Sequence, residues 1–205
     1  MDAVTHLVPK YETYGFRSVW NTIVVELDLE KVTANFAPIS SPPGIAVTSL
    51  DAIDVAKVIK YDTSVFGTSR GPFLQAWITI PGSCGWGAMD ETGNLVGFIT
   101  VCRVINGADM KVGPLNQIGP FYADNDAVAK LLLKAAAESC RKVKGSGRFE
   151  YLCFDGGEYG HHGLQLVTGV EATPPIVIGP RMYTKGVPQG RQLHKIYGLT
   201  SPAFD

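Results

Sequence analysis

The stretch from Gln117 to Cys140, QIGPFYADNDAVAKLLLKAAAESC, constrains this chain more than any other. It opens as an apolar strand end, turns at Asp124-Asn125-Asp126, and continues as a long run with helical spacing. The nearly continuous apolar run FEYLCFD, Phe149 to Asp155, follows, as in a strand buried on both faces. Strand, helix and strand in that order predict parallel neighbours joined by a right-handed crossover. Asp124 is the expected N-cap of a helix to about Lys144, with Val128, Leu131, Leu132, Ala135 and Ser139 on one stripe. A strand that feeds a helix N-terminus often seats an anion, because free N–H groups and the positive dipole end face it. This turn carries two aspartates and no glycine.

Around this unit the pattern is mixed. Ser18 to Leu29 is rich in β-branched residues and reads as a strand. The segment ANFAPISSPPG, with Pro38, Pro42, Pro43 and Gly44, reads as a linker, so residues 1–44 separate from a main domain over 45–205. Within that domain Ile45 to Thr48 is a short strand. A helix capped by Ser49 or Asp51 follows to about Tyr61, with Ile53, Ala56, Val58 and Ile59 inward. GPFLQAWITI after Arg70 is a second helix, with Pro72 in its first turn. Gly85–Met89, DETGN and LVGFITVCRVI form a hairpin. A short helix over about Tyr159–Thr168 and strands at Ile176–Tyr183 and RQLHKIYGL complete an α/β sheet, part parallel and part antiparallel.

Composition narrows the function classes. Hydrophobic residues make up 45% and charged residues 18%, which suits a packed core. A net charge of −1 gives no bulk attraction to nucleic acid or an anionic membrane. Apolar runs fall far short of the ~20 residues that span a bilayer. Cys84, Cys102, Cys140 and Cys153 lack metal-ligand spacing, and no signal peptide precedes them, so a reduced cytoplasmic setting without a metal is expected.

The element order after the linker resembles the GNAT superfamily of acyl-CoA-dependent N-acyltransferases. Three motifs resemble the second half of tandem-GNAT proteins: FGTSR (Phe66–Arg70), GPFYADN (Gly119–Asn125) and RMY (Arg181–Tyr183). The family's Tyr-x-x-x-Gly-Phe element matches Tyr11, Gly15 and Phe16, with a weaker copy at Gln165, Gly169 and Val170. The two glycines lie about one such domain apart, which suggests an internal repeat. The resemblance implies a mixed sheet with splayed central parallel strands and helices on both faces. It also implies that residues 1–44 are the tail of a first repeat plus linker.

The implied cosubstrate is acetyl-CoA and the implied acceptor a small amine. Pantetheine would run beside Ile118, Gly119, Pro120, Phe121 and Tyr122. The pyrophosphate would meet the backbone of Asn125, Asp126, Ala127, Val128 and Ala129. The family's leading Arg or Gln falls on Asp124, which repels a pyrophosphate, so the cofactor site is expected to be weakened. Gly113-Pro114 and Gly119-Pro120 mark a bulge that opens the sheet.

Acyl transfer needs a neutral amine and hence a base. Asp155 and Glu158 are candidates, though Asp155-Gly156-Gly157 also suits a capping turn. Tyr159 is a candidate acid for the departing thiolate. His161-His162 lacks a third ligand spacing and reads as surface. Arg70 and Arg181 could hold an anionic substrate group or form ion pairs. The alternative function is a non-catalytic GNAT-like domain that binds a ligand or dimerises. SVWNTIVVEL is apolar on both sides, so it is expected to add to a sheet edge of its own or a partner chain, the latter giving a homodimer.

Overall fold

A computed structural model describes residues 2–104, 115–142, 148–155 and 162–200. The strands are β1 (Arg17–Asp28), β2 (Ala46–Ser49), β3 (Cys84–Met89), β4 (Leu95–Val104), β5 (Leu115–Ala123), β6 (Arg148–Asp155), β7 (Ile176–Tyr183) and β8 (Ile196–Gly198). They form one sheet in the order β2-β3-β4-β5-β6-β1-β7, with β8 paired to β5 off this path. β5 and β6 are parallel, and the remaining pairs are antiparallel. The helices are α1 (Val8–Thr13), α2 (Leu29–Phe36), α3 (Val55–Phe66), α4 (Gly71–Ile78), α5 (Asp126–Arg141) and α6 (His162–Leu166).

Alternation along the strands builds two apolar layers. Ile99 and Val101 of β4 join a cluster with Leu29, Val32 and Phe36 of α2, Leu132 and Ala136 of α5, and Leu166 of α6. Phe98, on the other face, joins Val58, Tyr61 and Val65 of α3 and Leu74 of α4. The mixed sheet with helices on both faces is therefore as expected.

Several local expectations give way. α5 starts at Asp126, and its cap is Asn125, whose side chain accepts the Val128 N–H; Asp124 lies one residue too early. Its buried face runs through Val128, Ala129, Leu132, Leu133, Ala136 and Ala137, leaving Ala135 and Ser139 at the margin. Asp54 caps α3, while Ser49 caps a single 3-10 turn before it. α3 turns Val58, Tyr61, Asp62 and Val65 inward, and Ala56 is exposed. α2 was not anticipated. Asp28 caps it by accepting N–H bonds from Glu30 and Lys31, and it packs on α5 instead of continuing the extended chain.

The largest correction concerns β1. It does not add to a sheet edge. It lies inside the sheet, paired along one side with β6 from Asn21↔Asp155 to Asp28↔Arg148 and along the other with β7. The physical reason is its two-sided apolarity. Ile23, Val25 and Leu27 sink into one layer and Trp20 into the other, which only an interior strand can satisfy. With both edges paired inside the chain, a dimer through β1 requires exchange of the strand between copies.

Candidate functional site

The β5–β6 pair is in register only over Asn116↔Phe149, Gln117↔Glu150 and Ile118↔Tyr151. Beyond Ile118 the strands part, and β5 pairs instead with β8 through Phe121↔Gly198 and Tyr122↔Ile196. The split that the resemblance implied is present, but a strand of the same chain lines it. At its head, the β4–β5 ladder slips between Ile99 and Val101, opposite Gly119-Pro120. That slip matches the expected bulge; Gly113-Pro114 falls outside the described residues.

Gly119 is required here. It has φ +142, and a Cβ on it would meet the Leu199 carbonyl oxygen at 2.0 Å. Its own carbonyl accepts Thr100 Oγ1 at 2.5 Å and Trp77 Nε1 at 2.8 Å. Pro120 has no N–H, so the second bulge residue cannot polarise a carbonyl.

Ile118, Phe121 and Tyr122 are fully buried, as are Gly119 and Pro120 by class. Asn125, Asp126 and Ala127 are exposed at the start of α5, and Val128 and Ala129 are buried. The strand end thus leads directly into the helix start.

Their surroundings do not suit a pyrophosphate. Asp124 Oδ1 accepts the Tyr61 hydroxyl at 2.9 Å and lies 2.9 Å from Lys195 Nζ. Asp126 Oδ1 accepts the Tyr197 hydroxyl at 2.5 Å, with His162 Nδ1 at 4.0 Å. Two carboxylates already occupy the positive end of α5. Burial, reinforced by Asp124, pushes the Tyr61 phenol far above its usual value. Burial and the bond to Asp126 do the same to Tyr197, so neither phenol readily gives up its proton.

Arg70, from the FGTSR motif, is paired and not open to an anion. Its Nη2 and Nε meet Asp62 at 2.9 and 3.0 Å, and it donates to Tyr122 Oη at 2.6 Å and Thr200 Oγ1 at 3.1 Å. The Phe66 ring stacks against its guanidinium at 4.2 Å. The first two motifs therefore meet directly. From the third, Arg181 is held by Asp2 at 2.5 and 3.0 Å, while Tyr183 lies 3.4 Å from Arg191, which covers Phe66.

Asp155 ends β6 beside the split, opposite Asn21. Glu158, Tyr159 and His161 lie outside the described residues. A pocket of about 200 Å³ between α4 and the start of β3 reaches Thr100, with Asp51, Gln75 and Thr79 among its lining. Sequence reasoning missed Tyr61, Lys195, Tyr197 and Thr200, because each joins the site through contacts far apart in sequence.

Residues 58–144 match the acetyltransferase (GNAT) domain family, Acetyltransf_18. Three solved structures share the fold. One is a conserved protein of unknown function from Enterococcus faecalis V583, given as a probable N-acyltransferase, with TM-score 0.57 and 14% identity. Another is a GCN5-related N-acetyltransferase from Kribbella flavida, with TM-score 0.54 and 11% identity. This chain is covered to 85% and 89%, but it spans only 41% of each of theirs. The third is a functionally unknown conserved protein from Staphylococcus epidermidis ATCC 12228, with TM-score 0.53 and 8% identity, covering 89% of this chain and 67% of that one. Comparison with curated sequences gives no match. The fold is of the GNAT type, and the matched segment runs from α3 to the end of α5. No helix among the described residues is long and apolar enough to cross a membrane.

Proposed function

We propose that this chain is an acyl-CoA-dependent N-acetyltransferase domain acting on a small amine. The observation that carries the reading is the parting of β5 from β6 after Ile118, immediately before the capped N-terminus of α5. That is the framework a thioester cosubstrate needs: a strand edge released by its parallel neighbour and leading to a helix N-terminus. The matched acetyltransferase segment spans β5 and α5 and supports the same reading.

The slot as it stands does not accommodate acetyl-CoA. β8 takes the β5 edge, and Asp124 and Asp126 take the helix end. No chemical step is therefore derived through the cosubstrate. The small-amine assignment rests on the pocket beside Thr100, whose size and rim carboxylate, Asp51, suit an ammonium group on a compact body. Asp155, whose backbone ends β6, is the assigned base, with Tyr159 as acid. The four scattered cysteines favour a cytoplasmic setting.

The filled slot favours a second reading, a non-catalytic GNAT-like domain. Calorimetric titration with acetyl-CoA, paired with thiol release over a panel of primary amines, separates the two. Saturable binding with amine-dependent release supports the transferase. No binding by the parent chain or by a variant with an opened slot assigns the second function.

A further inference from the structure

We propose that Cys84 and Cys140 are a redox couple, an exposed thiol and its resolving partner, which a hydroperoxide closes into a disulfide between β3 and α5. The proposal stands whether or not the slot binds acyl-CoA. The cysteines are widely separated in sequence, but the fold brings these two face to face. Cys84 opens β3 and lies directly opposite Val101 of β4. Opposed residues share one face of a sheet, and Val101 lies in the apolar layer that also holds Cys140. Trp86, two residues further along β3, packs against the same layer. α5 covers that face and packs on β3, so Cys140, in its last turn, meets the start of the strand. The Cys84 thiol donates to the Val101 carbonyl at 3.8 Å and takes a hydrogen bond from Cys140.

Exposure divides the roles. Cys84 is exposed, whereas Cys140 is only 5% exposed. Cys84 also lines the cavity of about 200 Å³ beside Thr100, which gives a small oxidant a path to its sulfur. The bond from Cys140 holds the Cys84 thiol below its ordinary value, against burial and the Asp51 carboxylate, which both act the other way. An accessible thiol with a favoured thiolate, next to a second cysteine, is the arrangement of a redox-sensing pair. The other two cysteines are poor rivals. Cys102 alternates to the opposite face of β4, and burial, then the nearby Cys84, pushes its thiol up to about 11. Cys153 is 1% exposed on the interior strand β6, opposite Ile23.

The chemistry closes with the peroxide as sole oxidant. The Cys84 thiolate attacks the outer peroxide oxygen, forming S–O and breaking O–O, and the leaving oxygen departs as water or alcohol with the Cys84 proton. Cys140 then attacks the sulfenic sulfur, forming S–S and breaking S–O, and the hydroxide leaves as water with the Cys140 proton. Two thiols give up two electrons and the peroxide takes them. The new bond closes the chain between residues 84 and 140 and pins the end of α5 to β3.

The whole reduced chain is treated with hydrogen peroxide, its remaining thiols are alkylated, and a non-reducing digest is mapped by mass. The expected product is a linked Cys84–Cys140 peptide pair that dithiothreitol separates, with Cys102 and Cys153 alkylated. The oxidised chain should melt about 5–15 °C above the reduced one. In Cys140→Ser, peroxide should leave Cys84 as a sulfenic acid that dimedone captures, in place of the link. Should that buried change prevent folding, Cys84→Ser alters an exposed position instead, and Cys140 should then stay reduced under the same peroxide. A link through Cys102 or Cys153, a link between two chains, or a Cys84 that peroxide leaves unmodified overturns the pair. So does Cys140 oxidised as fast in Cys84→Ser as in the parent, or an oxidised chain that melts no higher than the reduced one.

Discussion

Residues 2–4 and residues 195–200 settle on the same sheet by similar means and with different consequences. Each segment lays a carbonyl over a glycine. A Cβ on Gly179 would meet the Ala3 oxygen at 2.0 Å, as one on Gly119 would meet the Leu199 oxygen. Each also reaches a buried arginine, Asp2 to Arg181 and Thr200 to Arg70. The difference is charge. Asp2 brings the carboxylate that neutralises Arg181, which is 1% exposed. Thr200 brings only a hydroxyl, because Asp62 already neutralises Arg70. Losing the first contact strips a buried guanidinium of a counter-ion; losing the second leaves the Arg70–Asp62 pair in place. The first end is tied in mainly by charge, and the second by burial, with Ile196, Tyr197 and Leu199 only 2–3% exposed.

The sharpest way to break this contrast is at the first contact. Asp2→Ala should lower the unfolding free energy by about 3–5 kcal/mol, the usual cost of removing one partner of a buried ion pair. Thr22, which donates to Asp2 Oδ1 at 2.9 Å, loses its acceptor as well. Urea denaturation at neutral pH reads the change. A loss under about 1 kcal/mol would mean that Arg181 is satisfied without Asp2, and the two ends would then be alike.

The matching change at the other end is smaller. Thr200→Val keeps the shape and removes the acceptor, and should cost about 0.5–1.5 kcal/mol in the same assay. Exchange over 196–200 should stay about as slow as exchange over β6, because the buried Ile196, Tyr197 and Leu199 still hold the segment. If Thr200→Val instead costs as much as Asp2→Ala, the hydroxyl and not apolar burial holds residues 195–200.

The contrast also marks what the sequence could say. The strand–helix–strand run from Gln117 to Asp155 was readable because both periodicities are local, although the cap falls on Asn125 and not Asp124. The split beside it came from the family resemblance and not from the local pattern. The place of β1 was not, although its two apolar faces ruled out an exposed position. Apolarity on both sides says that a strand is interior but not between which neighbours. α2 was hidden because LDLEKVTANF is short and runs into prolines, while its burial comes from α5, about a hundred residues later. The segment carrying β8 was read as a plain final strand. That it lies on β5, with Lys195 and Tyr197 on the two aspartates of the opening motif, depends on chain return and leaves no local pattern. The aspartates looked like a damaged anion site; in the fold they are anchor points.

The smallest test concerns the seam that keeps β1 in place. Glu26 of β1 sits directly across from Glu150 of β6, and Arg148 Nη1 lies 3.1 Å from Glu26. Burial first, and Glu26 second, raise the Glu150 carboxyl above its ordinary 4.5. A raised folded value means that the folded chain holds this proton more tightly than the unfolded one. The stabilisation is full below 4.5 and is lost as pH climbs through the raised value. At pH 7 the ionised pair therefore works against β1. Glu150→Gln should add about 0.3–0.5 kcal/mol at neutral pH, a small gain because Glu150 is only half-buried and water screens the repulsion. The gain should fade by about pH 4, where the parent carries its own proton. The Tyr61 and Tyr197 phenols that tie down α5 stay protonated across this range, since both are pushed far up. Denaturant midpoints of parent and variant from pH 4 to 8 supply the comparison. A gain that is flat with pH, or larger in acid, would mean that lost packing and not charge governs the Glu26–Glu150 pair.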